Sequence, residues 1–304
     1  MKNYDKQLIV IAGPTAVGKT SVSIELAKLL KTEIISADSR QFYKEMKIGT
    51  APPKSQELNE VKHHFIGHLS IKENYDVSKY ETDAIYTINK LFYKYSSLVM
   101  VGGSGLYINA VLHGIDDLPD PDKTTRNYLK TLYDSEGITS LRILLKELDP
   151  EYYSQVDLMN HIRIIRALEV CLATGQKFSL LRKNVGKKRK FKHIIIGLNR
   201  DKEELYSLIN TRVDIMLENG FLEEAKKLYP FRNFNALKTV GYKELFEYFD
   251  GKISLDRAIE KIKTNSRRYA KRQLTWFRKT PEIKWFNPSE INMIYKYILS
   301  VQSI

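Results

Sequence analysis

The sequence predicts an α/β fold, a parallel sheet with helices on both faces and an all-helical segment inserted into it. Three observations predict it. Short apolar runs alternate with stretches of helical spacing, a glycine-rich loop directly follows the first run, and residues 118–190 contain no buried strand.

Taken in order, Leu8-Ile9-Val10-Ile11 with Ala12 reads as the first strand. The loop Gly13-Pro14-Thr15-Ala16-Val17-Gly18-Lys19-Thr20 follows, and a helix opens near Ser21, with apolar spacing through Val22, Ile24, Leu26, Ala27 and Leu30. Residues 33–37 form a second strand and residues 77–95 a helix. Ser97-Leu98-Val99-Met100-Val101 is a third strand, ending in Gly102-Gly103. The proline- and aspartate-rich connection Leu118-Pro119-Asp120-Pro121-Asp122 then leads into helices that stop near Lys187-Lys188-Arg189-Lys190. His193-Ile194-Ile195-Ile196-Gly197-Leu198 is a strand again. The expected organisation is a catalytic core of residues 1–117 and 191–304, with 118–190 as a helical insertion.

The glycine loop fits G-x-x-x-x-G-K-[ST] between a strand and a helix, the context that makes it a P-loop. Successive backbone N–H groups point into one concavity, the helix N-terminus adds partial positive charge and Lys19 a full one. The Thr20 hydroxyl suits a Mg2+ ion. The loop does not say which diphosphate it holds. Groups at the carboxyl ends of parallel strands share one crevice, so Asp38, Ser104 and the P-loop are expected together. The third strand ends in Gly102-Gly103-Ser104-Gly105 without the carboxylate that a nucleotide hydrolase places there. Asp38 is either a metal-water ligand or general base, or a capping or surface aspartate.

The composition excludes several classes. In 304 residues, 43% of them hydrophobic, no run is long enough to span a membrane and the N-terminus has no signal-peptide pattern. Cys171 is the single cysteine, which excludes an internal disulfide and a cysteine-cluster zinc site, so a cytoplasmic location is expected. A net charge of +13 suggests a polyanionic partner. Arg267, Arg268, Lys271 and Arg272 are expected on one helical face, extended by Arg278 and Lys279, and residues 187–190 form a second basic cluster. His63, His64 and His68 lack finger-type spacing, and Cys171 reads as helix packing.

Beyond the P-loop, Asp38-Ser39-Arg40-Gln41-Phe42-Tyr43, Ile48-Gly49-Thr50-Ala51-Pro52-Pro53 and Val101-Gly102-Gly103-Ser104-Gly105-Leu106-Tyr107 resemble the tRNA dimethylallyltransferase family. Further matches are Arg163-Ile164-Ile165-Arg166-Ala167-Leu168-Glu169-Val170, Arg212-Val213-Asp214-Ile215-Met216-Leu217 and Thr239-Val240-Gly241-Tyr242-Lys243-Glu244-Leu245. Tyr269-Ala270-Lys271-Arg272-Gln273-Leu274-Thr275-Trp276-Phe277 completes the set, which runs in the family's order along nearly the whole chain.

The resemblance implies transfer of a dimethylallyl group from dimethylallyl diphosphate to N6 of an adenosine beside the tRNA anticodon, releasing diphosphate without ATP. It implies Asp38 as base, with Lys19, Mg2+ on Thr20, the amides of Gly13, Pro14, Thr15, Ala16, Val17 and Gly18 (proline excepted), and Arg212 neutralising the leaving group. Ser104 is implied at the target nucleotide, where family members usually carry threonine. Asp38, Ser39, Arg40, Gln41, Arg126, Arg163, Arg166, Thr239, Val240, Gly241, Tyr242 and Lys243 are implied RNA contacts, and the insertion is implied to grip the anticodon stem-loop. A compact bacterial form acting as a monomer is expected. Two other readings remain open: an adenylate prenyltransferase using free nucleotide, and a small-molecule P-loop kinase.

Overall fold

The structure, a computed structural model, describes residues 6–119, 122–183 and 185–302. Met1 to Asp5, and Asp120 and Pro121 of the proline-rich connection, lie outside them. The chain divides into two compact units, Met1–His113 with Lys188–Ile304, and Gly114–Lys187. These boundaries fall a few residues ahead of the expected 118 and 190.

In the first unit the order is β1 (Gln7–Ala12), α1 (Lys19–Leu29), β2 (Ile34–Ser36), α2 (Ser55–Glu60), β3 (His63–His64), α3 (Val77–Leu91), β4 (Ser97–Gly102) and α4 (Gly105–His113). The second unit holds α5 (Lys123–Glu136), α6 (Ile138–Leu148), α7 (Pro150–Gln155), α8 (His161–Thr174) and α9 (Phe178–Leu181). The first unit resumes with β5 (Lys192–Leu198), α10 (Lys202–Glu218), α11 (Phe221–Leu228), α12 (Tyr242–Phe249), α13 (Leu255–Phe277), β6 (Lys284–Phe286) and α14 (Ile291–Gln302).

The six strands pair in the order β3-β2-β4-β1-β5-β6, all parallel. β1 is central and every residue in it is buried. Its side chains alternate between two cores, as the period of a strand requires. Leu8 and Val10 join α3, α4, α11 and α12 through Ala84, Ile88, Val111, Ala225 and Leu245, while Ile9 and Ile11 join α1, α10 and α14 through Leu26, Ile209 and Ile298. Helices therefore cover both faces, as expected. Ile9 and Ile11 are fully buried, and truncating either to alanine costs about 2–5 kcal/mol.

Two edge strands escape the sequence pattern. β3 has two residues and β6 three, with polar or partly exposed side chains, so neither carries an apolar run. The α3 helix ends at Leu91, short of the expected 95, because the chain turns through Tyr93 and Lys94 to deliver Ser97 to the sheet. The second unit has its own core of Leu129, Leu141, Leu145, Ile164, Leu168 and Phe178, contributed by α5, α6, α8 and α9. No helix among the described residues is long and apolar enough to cross a membrane.

Candidate active site

The P-loop joins β1 to α1 at the carboxyl end of the sheet. Gly13 has φ 154° and a Cβ there would lie 2.7 Å from the Leu198 carbonyl oxygen of β5; Gly18 has φ 108° and caps α1. Both conformations favour glycine, which explains the two invariant letters of the motif. Lys19 Nζ folds back over the loop and donates to the Pro14 carbonyl at 2.6 Å. Burial, with the Arg212 charge adding to it and Asp38 opposing, lowers the Lys19 pKa from 10.5 to about 7.

Three side chains outside the loop hold its shape. The Gln273 side-chain oxygen accepts the Thr15 N–H, and its amide donates to the Gly103 carbonyl, each at 2.9 Å. Arg200 Nε donates to the Val17 carbonyl at 3.0 Å. Arg212 Nη1 reaches the Thr15 hydroxyl at 3.3 Å. Burial lowers the Arg212 pKa, and Asp38 and Glu57 resist that shift. The Val17 side chain belongs to the core and Pro14 has no N–H, so these two positions serve through backbone geometry alone.

Asp38 lies just past β2. Its Oδ1 accepts the Arg40 N–H at 2.9 Å, which fixes the carboxylate and leaves its other oxygen to the crevice. Arg40 itself donates to the Asn235 and Ala236 carbonyls. Gln41 donates to the Thr50 and Ala51 carbonyls. Ser104 Oγ accepts the Ser39 N–H at 3.2 Å and stands 3.3 Å from Ser39 Oγ, so it latches the β4 turn to the Asp38 segment. Burial pushes the phenol of Tyr269, which lines both cavities at this end of the sheet, up to about 12, so it stays protonated.

Two cavities of about 530 and 520 Å3 open at this end of the sheet. The first is lined by Lys19, Thr20, Gln273, Ile48, Pro52, Ile66 and Ile215. The second is lined by Ser39, Arg40, Thr239, Val240, Gly241, Lys243, Asn265 and Arg272. Thr15, Asp38, Arg212, Met216 and Tyr269 line both, so a carboxylate, a guanidinium and a phenol stand where the two chambers adjoin.

The structure corrects several sequence expectations. The Tyr242 ring is fully buried against Phe221 and its hydroxyl donates to Glu224 Oε1 at 2.7 Å, so the side chain supports the 239–243 loop from behind and does not line the crevice that its neighbours line. Arg267 lies apart from the expected basic face: it is partly buried and its guanidinium bonds Asn210 and Thr264. The exposed face is Arg268, Lys271, Arg272 and Lys279 around Trp276. In the second basic cluster, Arg189 is consumed by a largely buried ion pair with Glu81 at 2.7 Å, and Lys187 pairs with Asp117 at 2.8 Å.

In the second unit Arg126 clamps the buried Glu169 through two bonds of 2.6 and 3.2 Å. Arg166 lies 3.6 Å from the same carboxylate, while Arg163 is exposed. The three histidines read as lacking finger-type spacing turn to separate partners: His63 bonds the Val61 carbonyl, His64 bonds Glu33, and His68 packs on Phe42 and Phe65. Cys171 is buried, and burial raises its thiol pKa.

Sequence reasoning quoted Gln273 and Tyr269 inside a motif but assigned them no task, and it passed over Glu224. Glu224 accepts the Ile48 and Gly49 amides at 2.8 and 2.9 Å, holding the turn that borders both cavities. A buried glutamine or a carboxylate on an amphipathic helix carries no signal until the fold supplies its partners.

The family model described as IPP transferase matches residues 41–280. A tRNA dimethylallyltransferase of Christiangramia forsetii is 55% identical over 301 residues, covering 99% of each chain. The crystal structure of the tRNA isopentenylpyrophosphate transferase of Bacillus halodurans superposes with TM-score 0.73 at 38% identity, covering 98% of this chain and 97% of that one. A eukaryotic dimethylallyltransferase acting on tRNA superposes with TM-score 0.76 at 29% identity, covering 94% of this chain and 75% of that one. With a loop, a carboxylate and a two-chambered crevice in the places described, the chain belongs to the IPP transferase family.

Proposed function

We propose that this protein transfers the dimethylallyl group of dimethylallyl diphosphate to the N6 amine of an adenosine beside the anticodon of tRNA. The carrying observation is the pair of adjoining cavities with Asp38, Arg212 and Tyr269 in their common wall. The P-loop chamber takes the donor, with the diphosphate on the loop amides and Lys19 and the prenyl tail along Ile48, Pro52, Ile66 and Ile215. The second chamber takes the flipped base, with Ser39, Arg40, Thr239, Val240, Gly241 and Lys243 as its rim.

In the transfer the N6 nitrogen bonds the allylic carbon as the carbon–oxygen bond to diphosphate breaks. The leaving group departs with the electron pair, and the N6 proton passes to Asp38. Lys19 and Arg212 neutralise the charge that grows on the diphosphate. The residues present suit Mg2+: Thr20 and Asp38 both line the donor cavity with oxygen donors, and this ion takes one or two protein oxygens together with phosphate oxygens. Thr20 would hold the ion, which would add to the neutralisation of the leaving group by Lys19 and Arg212. Phosphate contacts at Arg268, Lys271, Arg272 and Lys279 position the RNA.

Labelled dimethylallyl diphosphate offered with tRNA or with AMP tests the reading. Label on tRNA alone supports it. Label on AMP alone assigns a free-nucleotide acceptor, and phosphoryl transfer from ATP to a metabolite with no prenylation assigns a kinase.

A further inference from the structure

At the opposite end of the sheet, three metal-ligating side chains from three separate segments meet. His113 is the last residue of α4, His193 the second residue of β5, and Glu282 lies in the loop before β6. Each offers one ligand atom, and these lie within 4.8 Å of one another. His113 Nε2 and His193 Nε2 stand 3.8 and 3.7 Å from the same Glu282 Oε1, and the two imidazoles meet edge to face with centroids 5.6 Å apart. We propose that His113, His193 and Glu282 form a zinc-class metal site, separate from the Mg2+ expected at the P-loop.

The geometry requires the two exposed side chains to close on the ion, because the three ligand atoms now lie up to 4.8 Å apart. Around a tetrahedral ion with bonds of about 2.0–2.2 Å, ligand atoms stand roughly 3.3–3.5 Å apart. The His–Glu separations exceed that by a few tenths of an ångström. His113 and Glu282 are about half exposed, 47% and 48%, so their side chains can close on an ion, while His193, 23% exposed in β5, is the fixed member. Two imidazoles and one carboxylate carry a single negative charge when the imidazoles are neutral, and imidazole nitrogen selects zinc, cobalt or nickel over the hard Mg2+ ion. Three protein ligands leave a fourth position for water.

His193 pairs in register with Leu8, toward the amino-terminal end of β1, whereas the P-loop leaves its carboxyl end. The metal therefore acts as a clip and takes no part in the transfer. It ties the end of α4, which immediately precedes Gly114 in the chain, to β5 and to the loop leading to β6, and so stabilises the folded form by binding it selectively.

The test uses the full chain stripped with chelator and held in excess Mg2+, titrated with Co2+ as a spectroscopic stand-in and with Zn2+ by calorimetry. The expected result is one equivalent of Co2+ with the visible bands of a four- or five-coordinate ion, displaced by Zn2+, and a rise in Tm of a few degrees. Both signals should disappear in the His113→Ala/Glu282→Gln double variant, whose changes are at exposed positions, and persist in Lys19→Ala. Absence of stoichiometric Co2+ uptake by the unaltered protein, or uptake by the double variant equal to it, overturns the site.

Discussion

Gln273 accepts the backbone N–H of Thr15 at 2.9 Å while its own amide is anchored on the Gly103 carbonyl, so one side chain of α13 sets the P-loop against the β4 turn. Gln273 is only 6% exposed, and its bond to the Gly103 carbonyl is buried. Replacing it with methionine keeps the volume, frees the Thr15 N–H and leaves the buried Gly103 carbonyl unmet, the latter at about 1–3 kcal/mol. A misplaced P-loop should slow transfer by roughly 10²-fold, the scale of a ~1 Å displacement at a reacting centre. Single-turnover rates with a parallel thermal melt check this. A folded variant with the unaltered rate removes Gln273 from P-loop positioning.

Asp38 is the expected base. Asp38→Asn retains an oxygen for the Arg40 amide, so the local turn survives while the proton acceptor is lost. The expected fall in single-turnover rate with saturating substrates is about 10²- to 10⁴-fold. A rate within a fewfold of the parent would exclude the base role.

Lys19→Ala should abolish turnover and leave tRNA affinity intact, because Lys19 lines the donor cavity and not the acceptor one. Equal loss of tRNA binding in a folded variant argues against separate chambers.

The same lysine predicts a pH signature. Its folded pKa, lowered by burial to about 7, lies below the 10.5 of the unfolded chain. Between these values the folded protein binds fewer protons than the unfolded chain, so the Lys19 contribution makes stability rise with pH across that window. Diphosphate bound beside the ammonium raises the pKa again, so binding above pH 7 takes up a proton and the lysine's share of affinity falls by up to about tenfold per pH unit. Calorimetry of diphosphate binding in two buffers of different ionisation enthalpy measures the uptake. Lys19→Met should remove it, and identical uptake in both proteins contradicts the assignment.

The basic face of α13 predicts a split between neighbours. Arg268→Ala with Lys271→Ala should weaken all tRNAs alike and reduce the salt slope by roughly 0.7–0.9 per lost phosphate contact. Arg267→Ala should leave the slope unchanged, because its guanidinium already bonds Asn210 and Thr264. Filter binding across a salt series separates them; a slope unchanged in the double variant removes this face as an RNA surface.

By itself the sequence determined whatever rests on contiguous residues. The buried strands around residues 8–12, 97–101 and 193–198 were legible because a central parallel strand must be apolar on both faces. The P-loop was legible because a backbone cradle for phosphate demands glycine at fixed steps, and the helical insertion because it lacks such strands altogether. Asp38 was legible from its place just past the second strand, but its base role and the task of Arg212 came through motif resemblance, which names a residue without supplying its surroundings. Tertiary structure alone decided which side chains complete the site. It brought Gln273 to Thr15 across 258 positions of sequence, turned Arg267 away from the basic face and buried Tyr242 behind the loop it had been expected to share. It also gathered His113, His193 and Glu282 from segments with no common motif. The physical reason is the same each time: a hydrogen bond or a ligand cluster depends on positions in space, and local periodicity records only which face of its own element a residue occupies.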